Sequence, residues 1–470
     1  MQRVLSRLRG RRLLAASTRS ADAVGSLQQQ PTSSEHGEGA KASTWWQRDD
    51  DSARGSDGIV RLDNGDVCSV YLGIDPTADG LHVGHLVGIM ALRAFQREGF
   101  RPLALVGGAT GLIGDPSGRA TERAMLETSD VERNVEGIRA DLERVLEFGG
   151  KEPNAAQLVN NLDWYRGMSA LELLRDVGKH FRVSAMMSRE SVKARLETSS
   201  DETQEGLSFT EFSYQLLQGY DFLHLYRTES CRVQIGGSDQ WGNIAAGTDL
   251  IRRATGDTAE ALGVTVPLLT NRAGEKFGKS AGNAVWLAPD KTSDFELYQF
   301  FMRAEDEMVE DLLYKLTELP EDEVAAIAKA HGEAPEKREA QRRLAQSVVQ
   351  MVRGPTGLRR AEVATQALFG GDLDALSAED LLSIDAPRVT LSREQVQDRT
   401  AIDVFAAAKA VASKSEAKRL AASGGLYVQN HRVPDASYTL DLARDAAEGR
   451  VILLRSGKRK YTIVSVQDAE

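Results

Sequence analysis

The chain is poor in cysteine: Cys68 and Cys231 are the only two in 470 residues, they lie far apart, and no CxxC pair occurs. That excludes a disulfide framework and a zinc ribbon, and leaves both thiols as small apolar residues of buried strands. No apolar run reaches the ~18 residues that a membrane-spanning helix needs. An excess of positive charge is missing too. With 58 Lys and Arg against 69 Asp and Glu the formal net charge is −11, so contact with nucleic acid has to come from local basic patches. Tandem repeats are absent. The remaining composition, 41% hydrophobic and 27% charged, is that of an ordinary globular chain, long enough for two to four domains.

Acid is missing from one stretch in particular. MQRVLSRLRGRRLLAASTRS carries six arginines, and the first acidic residue is Asp22. Arginine interspersed with Leu and Val, then Ser and Ala, is the composition of an organelle transit peptide; a disordered basic arm is the alternative. The stretch lacks the continuous apolar core of a secretory signal. SLQQQPTSSEHGEGAKAST, which follows, is polar and expected to be unstructured. Residues 1–45 are therefore expected to be a transit peptide and disordered leader outside the fold.

From Val67 an α/β pattern begins. VCSVYLG reads as a strand ending at Gly73, and VGHLVGIMALRAFQREG as a helix closing at Gly99. RPLALVGG, QLVNN and CRVQIGG read as further strands, VERNVEGIRADLERVLEF and SDQWGNIAAGTDLIRRA as helices. Strands alternating with helices imply a doubly wound parallel sheet, with ligands beyond the carboxyl ends of the strands. This catalytic domain is expected over 46–290. A helical domain is expected over 291–395, with SREQVQDRT as a linker or extra turn. A small α+β module over 396–470 follows, in which GLYVQNHRV is hairpin-like and RVILLRSGKRKYTIVSV gives two strands around a basic turn.

LHVGH sets His82 and His85 three residues apart at the opening of a helix. Such a pair can bind metal, although no third ligand is evident, or lie solvated on the surface. It can also extend the anion-binding N–H array of a helix N-terminus, beside Thr77 and the tight turn at Gly80. ATGLIGDPSG lacks the lysine of a Walker loop, which excludes an ordinary P-loop NTPase; Arg119 and Arg123 follow it. In SFTEFSYQLLQGYDFLHLY, Tyr214, Gln218 and Asp221 share one helical face. A polar stripe of this kind belongs either to a pocket for a small polar ligand or to an interior hydrogen-bonded network. GGSDQWGNI brings Asp239 and Gln240 to a strand end. EKFGKS puts Lys276 and Lys279 on a pliable segment around Gly278, read by itself as a solvated turn.

Together these segments resemble the bacterial and organellar tyrosyl-tRNA synthetases, a family of class I aminoacyl-tRNA synthetases. His82-Val83-Gly84-His85 matches the signature usually written HIGH, and Lys276-Phe277-Gly278-Lys279-Ser280 the one usually written KMSKS. YLGIDPTADGLHVGH, LVGGATGLIGDPSG, TEFSYQLLQGYDF and QIGGSDQWGNI carry the resemblance further, from about residue 60 to the C-terminus. It implies a Rossmann-like catalytic domain and tyrosine–tRNA ligase activity. Tyrosine is activated by ATP to tyrosyl-adenylate and pyrophosphate, then transferred to the 3′ end of tRNA(Tyr).

The resemblance also implies roles. Tyr71 and Asp221 bind the phenolic hydroxyl of tyrosine; Asp115, Tyr214 and Gln218 receive its ammonium; Gln240 lies near its carboxylate. Asp239 binds the ATP ribose, with Gly73, Asp75, Gly84 and Gly237 against the nucleotide. Thr77, His82 and His85 contact phosphates or ribose, and Lys276, Lys279, Ser280, Arg119 and Arg123 grip the leaving pyrophosphate. Magnesium arrives on ATP, with no protein-bound metal. Leu72 and Gly88 depart from the family, in which Cys and Thr are frequent near the nucleotide; they are expected to tune ATP affinity. The tail resembles the RNA-binding module of the fourth small-subunit ribosomal protein, which implies tRNA contacts for Lys414, Lys418, Arg419, Arg455, Lys458, Arg459 and Lys460; a solvated charged face is the alternative. A homodimer and a mitochondrial matrix address, with plastid or dual targeting as the alternative, complete the expectations. The rivals are a tryptophanyl-tRNA synthetase and an RNA-binding protein without catalysis.

Overall fold

A computed structural model describes residues 1–18, 55–117, 127–189, 192–193, 207–256, 261–270, 277, 279–280, 283–369, 371, 373, 376–457 and 460–467. They form two compact units, 1–292 with 304–344 and 293–303 with 345–470.

The first unit opens with α1 (Gln2–Gly10) and β1 (Ala16–Ser17). β2 (Ser69–Ile74) leads through a tight turn at Val83–His85 into α2 (Leu86–Arg97). β3 (Arg101–Val106), α3 (Thr110–Ile113), α4 (Thr128–Leu142), β4 (Gln157–Asn160), α5 (Leu162–Tyr165) and α6 (Phe209–Thr228) follow. β5 (Cys231–Gly237), α7 (Trp241–Thr255), β6 (Leu262–Val266) and the hairpin β7 (Lys279–Ser280) and β8 (Asn283–Ala284) come next.

Five strands are parallel in the order β6-β5-β2-β3-β4, and β1 adds an antiparallel edge on β6. This is the doubly wound sheet expected from the alternation. Helices cover both faces of such a sheet, so its strands run apolar without alternation, as the five buried residues of PLALV show. Both cysteines are buried and neither forms a disulfide. Strand order reverses between β2 and β5, which opens a crevice beyond their carboxyl ends.

The N-terminus corrects the expectation of a disordered leader. Residues 1–18 fold onto the first unit: Val4, Leu5, Leu8 and Leu13 are each at most 3% exposed, and Ala16 and Ser17 pair with Thr265 and Val264. A basic, apolar, acid-free segment has the composition of a transit peptide. It has equally the composition of an amphipathic helix docked on an acidic surface, and composition alone cannot tell them apart. The remainder of the expected leader, residues 19–45, lies outside the described residues.

From residue 294 helices dominate: α8 (Asp294–Met302), α9 (Asp306–Leu316), α10 (Glu321–Glu333), α11 (Glu339–Leu368) and α12 (Ala378–Leu382). α9 and α10 belong to the first unit, α8 and α12 to the second, and α11 breaks at Gly354 ahead of Pro355. The helical stretch expected over 291–395 is thus shared by both units rather than compact by itself. It also ends in a strand, β9 (Arg388–Ser392), which pairs in parallel with β13 (Lys460–Gln467). A strand whose partner lies so far along the chain leaves little local signal. Of the two readings of SREQVQDRT the extra turn holds and the linker does not: Ser392 caps a helical turn whose Val396 is fully buried.

α13 (Ala401–Ala407) and α14 (Lys414–Ala422) precede β10 (Leu426–Val428), β11 (His431–Arg432) and β12 (Val451–Ser456). The sheet runs β11-β10-β12-β13-β9, and one core holds Phe405, Ala417, Leu426, Leu454 and Val464. The two hairpins read from the sequence are present.

Candidate functional site

A cavity of about 390 Å³ lies at the crevice between β2 and β5. Its wall takes Tyr71, Leu72 and Gly73 from β2, His82, Gly84, His85 and Gly88 from the turn and α2, and Tyr214, Gln218 and Asp221 from α6. Gly237 comes from the end of β5, Asp115, Asp239 and Gln240 from the segments after β3 and β5, and Asp75 and Thr77 from the loop after β2. The sequence stripe on α6 therefore faces a pocket, not a closed interior network. α6 starts where Ser208 accepts the Glu211 amide (3.2 Å), which fixes the phase of that stripe.

Asp221 is 2% exposed. Asn161 Nδ2 donates to its Oδ2 (3.1 Å) and Trp164 Nε1 to its Oδ1 (3.0 Å). Burial raises its pKa to about 7, against the pull of these hydrogen bonds. Tyr71, at 1% exposure, has a buried hydroxyl without a protein hydrogen bond. Burial, and then the Asp221 charge, push its pKa well above the usual phenol value, so it remains a neutral donor. A buried carboxylate beside an unpaired hydroxyl can accept from and donate to one ligand hydroxyl.

A second polar group lies around Asp115. Gln240 Nε2 donates to its Oδ2 (2.7 Å) and the Ser117 amide to its Oδ1 (2.9 Å), while Asn243 holds the Gln240 carbonyl (3.2 Å). Gln218 Oε1 is buried with no protein donor, an acceptor for a ligand cation. Tyr214 donates its hydroxyl proton to Asp75 Oδ2 (2.8 Å) and Thr110 Oγ1 donates to Asp75 Oδ1 (2.8 Å). Both Asp75 oxygens are thus engaged by the protein, and Tyr214 has only an acceptor lone pair left for a ligand.

The histidine pair is built for donation. His82 Nδ1 accepts the Gly84 amide (3.0 Å) and His85 Nδ1 accepts the His82 amide (3.1 Å). Each neutral ring then carries its proton on Nε2, a donor at the opening of α2. Among the described residues no group of three His, Cys, Asp or Glu could hold a metal ion. Gly84 is required by space: a Cβ there would sit 2.8 Å from His82 Cε1 and 3.3 Å from the Phe277 carbonyl. Gly88 and Leu72 fit against each other, since a Cβ at 88 would meet Leu72 Cδ2 at 3.3 Å. The leucine fills room that the glycine leaves.

Phe277 lines the cavity, and its amide donates to the Leu269 carbonyl (2.9 Å). Lys279 and Ser280 pair through their backbones with Ala284 and Asn283, so these two residues form one strand of a short antiparallel pair. Lys276, Arg119 and Arg123 lie outside the described residues. Sequence reasoning missed Asn161, Trp164 and Thr110. NNLDWY directly after β4 was the available signal, because it stands at a carboxyl strand end.

In the second unit Lys414 pairs with Asp403 (2.6 Å), and Lys418, Arg419 and Lys460 are exposed. Arg455 stacks its guanidinium 3.7 Å above the Tyr427 ring. Lys458 and Arg459 lie outside the described residues.

Residues 63–370 match the family model for class I tRNA synthetases of W and Y, and residues 379–464 that of a tyrosine–tRNA ligase C-terminal domain. The tyrosine–tRNA ligase of Rhodopirellula baltica is 45% identical over 419 residues, 87% of this chain and 92% of that enzyme. Tyrosine–tRNA ligase 1 of Bacillus subtilis is 42% identical over 409 residues, 87% of this chain and 95% of that enzyme. Among solved structures, the C-terminally truncated mitochondrial tyrosyl-tRNA synthetase of Aspergillus nidulans superposes with TM-score 0.63 at 29% identity, over 78% of this chain and 94% of that one. That of Coccidioides posadasii gives 0.59 at 30% identity, over 76% and 90%.

Proposed function

We propose, for a chain that belongs to the class I tRNA synthetases of tryptophan and tyrosine and is within them a tyrosine–tRNA ligase with ATP as substrate, the following division of labour in its cavity. Tyr71 and Asp221 hold the phenolic hydroxyl of tyrosine. Asp115, Gln218 and the Tyr214 lone pair receive its ammonium, and Gln240 lies near its carboxylate. Asp239 takes the ATP ribose, with Gly73, Asp75, Gly84 and Gly237 against the nucleotide. Thr77 and the Nε2–H groups of His82 and His85 donate to the phosphates. Lys276, Lys279, Ser280, Arg119 and Arg123 hold the pyrophosphate, and Mg²⁺ enters with ATP.

The tyrosine carboxylate attacks the α-phosphorus, a new O–P bond forms, and the bond to the bridging oxygen breaks as pyrophosphate leaves. A ribose hydroxyl at the tRNA 3′ end then displaces AMP. No protein nucleophile is required; positioning and cationic stabilisation of the developing charge carry the rate. The observation that supports this reading most is the pairing of the unsatisfied Tyr71 hydroxyl with buried Asp221, a phenol-reading site. ATP–pyrophosphate exchange driven by single amino acids tests it. Tyrosine should drive exchange and tryptophan should not. Equal exchange with tryptophan would overturn the assignment, and structured-RNA binding with no exchange would favour the non-catalytic rival.

Three finer proposals accompany it. The second unit binds tRNA(Tyr) through Lys414, Lys418, Arg419, Arg455, Lys458, Arg459 and Lys460. Lys418→Ala with Arg419→Ala should weaken tRNA binding and lower its salt slope by ~1.5 to 2, with tyrosine-driven exchange unchanged. The enzyme is a homodimer, for which Leu171, Leu174, Val183 and Met187, 48–78% exposed within one short stretch, supply apolar surface; sedimentation equilibrium checks it. It serves organellar translation, in the mitochondrial matrix or a plastid, as the likeness to two fungal mitochondrial enzymes supports. Imaging a fusion of residues 1–54 tests this, and a cytosolic signal would refute it. Among the described residues no helix is long and apolar enough to cross a membrane.

A further inference from the structure

We propose that residues 1–18 brace strand β6, and through it the Leu268, Leu269 and Phe277 wall of the cavity, so that the segment is a working part of the catalytic unit. Three sets of contacts carry this.

The first is apolar. Val4, Leu5 and Leu8 recur along one stripe of α1 and are buried at 0–3% exposure, against α2 among others. Leu13 continues the anchor at 2%.

The second is ionic, and it accounts for the arginines. Glu98 is a carboxylate with only 5% of its surface exposed; Arg7 NH1 lies 2.5 Å from its Oε1 and Arg3 Nε 3.3 Å from its Oε2. Taking both cations away would leave a charge buried without these partners, which is far costlier than losing a surface pair. Arg11 donates to the carbonyls of Thr317 (2.7 Å) and Leu319 (2.6 Å), just beyond the C-terminus of α9. A guanidinium there satisfies terminal carbonyls and meets the negative end of the helix dipole. Arg12 pairs with Glu310 (2.6 Å) and stacks 4.4 Å from the Tyr314 ring.

The third is the strand itself. The Ala15 amide donates to Thr265 (2.7 Å) and the Thr18 amide to Gly263 (3.0 Å), while the Gly263 amide donates to Thr18 Oγ1 (3.0 Å). Without β1, β6 would be the open edge of the sheet. β6 ends at Val266; Pro267, Leu268 and Leu269 then line the cavity, and the Leu269 carbonyl holds the Phe277 amide. The brace therefore ends at Thr265, four residues from the carbonyl that anchors the segment leading to Lys279. Tyr71 and the polar stripe that faces tyrosine stand on β2 and α6 instead.

The assay rests on the tyrosine-activation reading, and its control separates the two. Full chain, a variant lacking residues 1–18, and Thr18→Val in the full chain are compared for melting temperature and for exchange kinetics. Thr18→Val keeps α1 and removes only the acceptor for Gly263. The truncated protein should lose about tenfold in kcat, well inside the ~10²-fold that a 1 Å displacement can cost, with the tyrosine KM changed by less than about twofold. Thr18→Val should lose kcat in the same direction, by about twofold. Should the truncated protein be insoluble, the kcat of Thr18→Val decides. A lower melting temperature with parental kcat would overturn the brace, leaving a merely structural segment. A full chain without tyrosine-driven exchange would instead overturn the reading of the cavity.

Discussion

Asp221→Ala should raise the tyrosine KM by about 10²-fold and collapse the discrimination against phenylalanine, which a hydroxyl-reading site sets at about 10⁴ to 10⁵. The reason lies in what the cavity leaves unpaired. The Tyr71 hydroxyl has no protein hydrogen bond, and the Asp221 carboxylate is held from behind by Asn161 and Trp164. A phenol completes both groups. Phenylalanine completes neither, and a buried polar group left without a partner costs roughly 1–3 kcal/mol, more when charged. Exchange kinetics with the two amino acids measure the ratio; unchanged discrimination would remove Asp221 from its role. Trp164→Phe retains the carboxylate and loses one of its donors, so the same ratio should fall by less.

The titration of Asp221 gives this prediction a second readout. Its folded pKa of about 7 stands above the unfolded value of 3.8. The fold binds the proton more tightly than the unfolded chain does, so stability from this group is complete below pH ~4 and is lost as the pH rises to ~7, then constant. Asp221→Asn removes that dependence. Relative to the parent it should gain stability between pH ~4 and ~7, by a few kcal/mol at most, and gain nothing further above. Denaturant titrations at pH 5 and pH 8 measure the difference.

Lys276→Ala or Lys279→Ala should slow adenylate formation about 10²- to 10³-fold while leaving tyrosine binding almost unchanged. Pyrophosphate acquires charge only as the α-phosphorus is attacked, so a cation that meets it there lowers the barrier without strengthening the ground state. The tyrosine pocket is built on β2 and α6, whereas Lys279 lies in the hairpin after Phe277. Pre-steady-state adenylate formation beside equilibrium tyrosine binding separates the two effects. A matching loss of tyrosine affinity would show that the lysines act on the whole pocket rather than on the leaving group.

What the sequence by itself determined was what is local or repeated at a fixed period. Apolar strands alternating with helices gave the doubly wound sheet. Tyr214, Gln218 and Asp221 shared a face because a helix has 3.6 residues per turn, whatever packs against it. The two C-terminal hairpins were legible because their partners are adjacent in the chain. Tertiary structure decided the rest. Asn161 and Trp164 became partners of Asp221 only because β4 ends beside α6, across about 60 residues. β9 became a strand only because β13 offered it an edge. The arginine-rich terminus is the sharpest case. Its composition is shared by an imported leader and a docked helix, and what separates them is whether Glu98, the α9 terminus and the edge of β6 are within reach. Those partners lie some 90 to 300 residues along the chain, where no local pattern can record them.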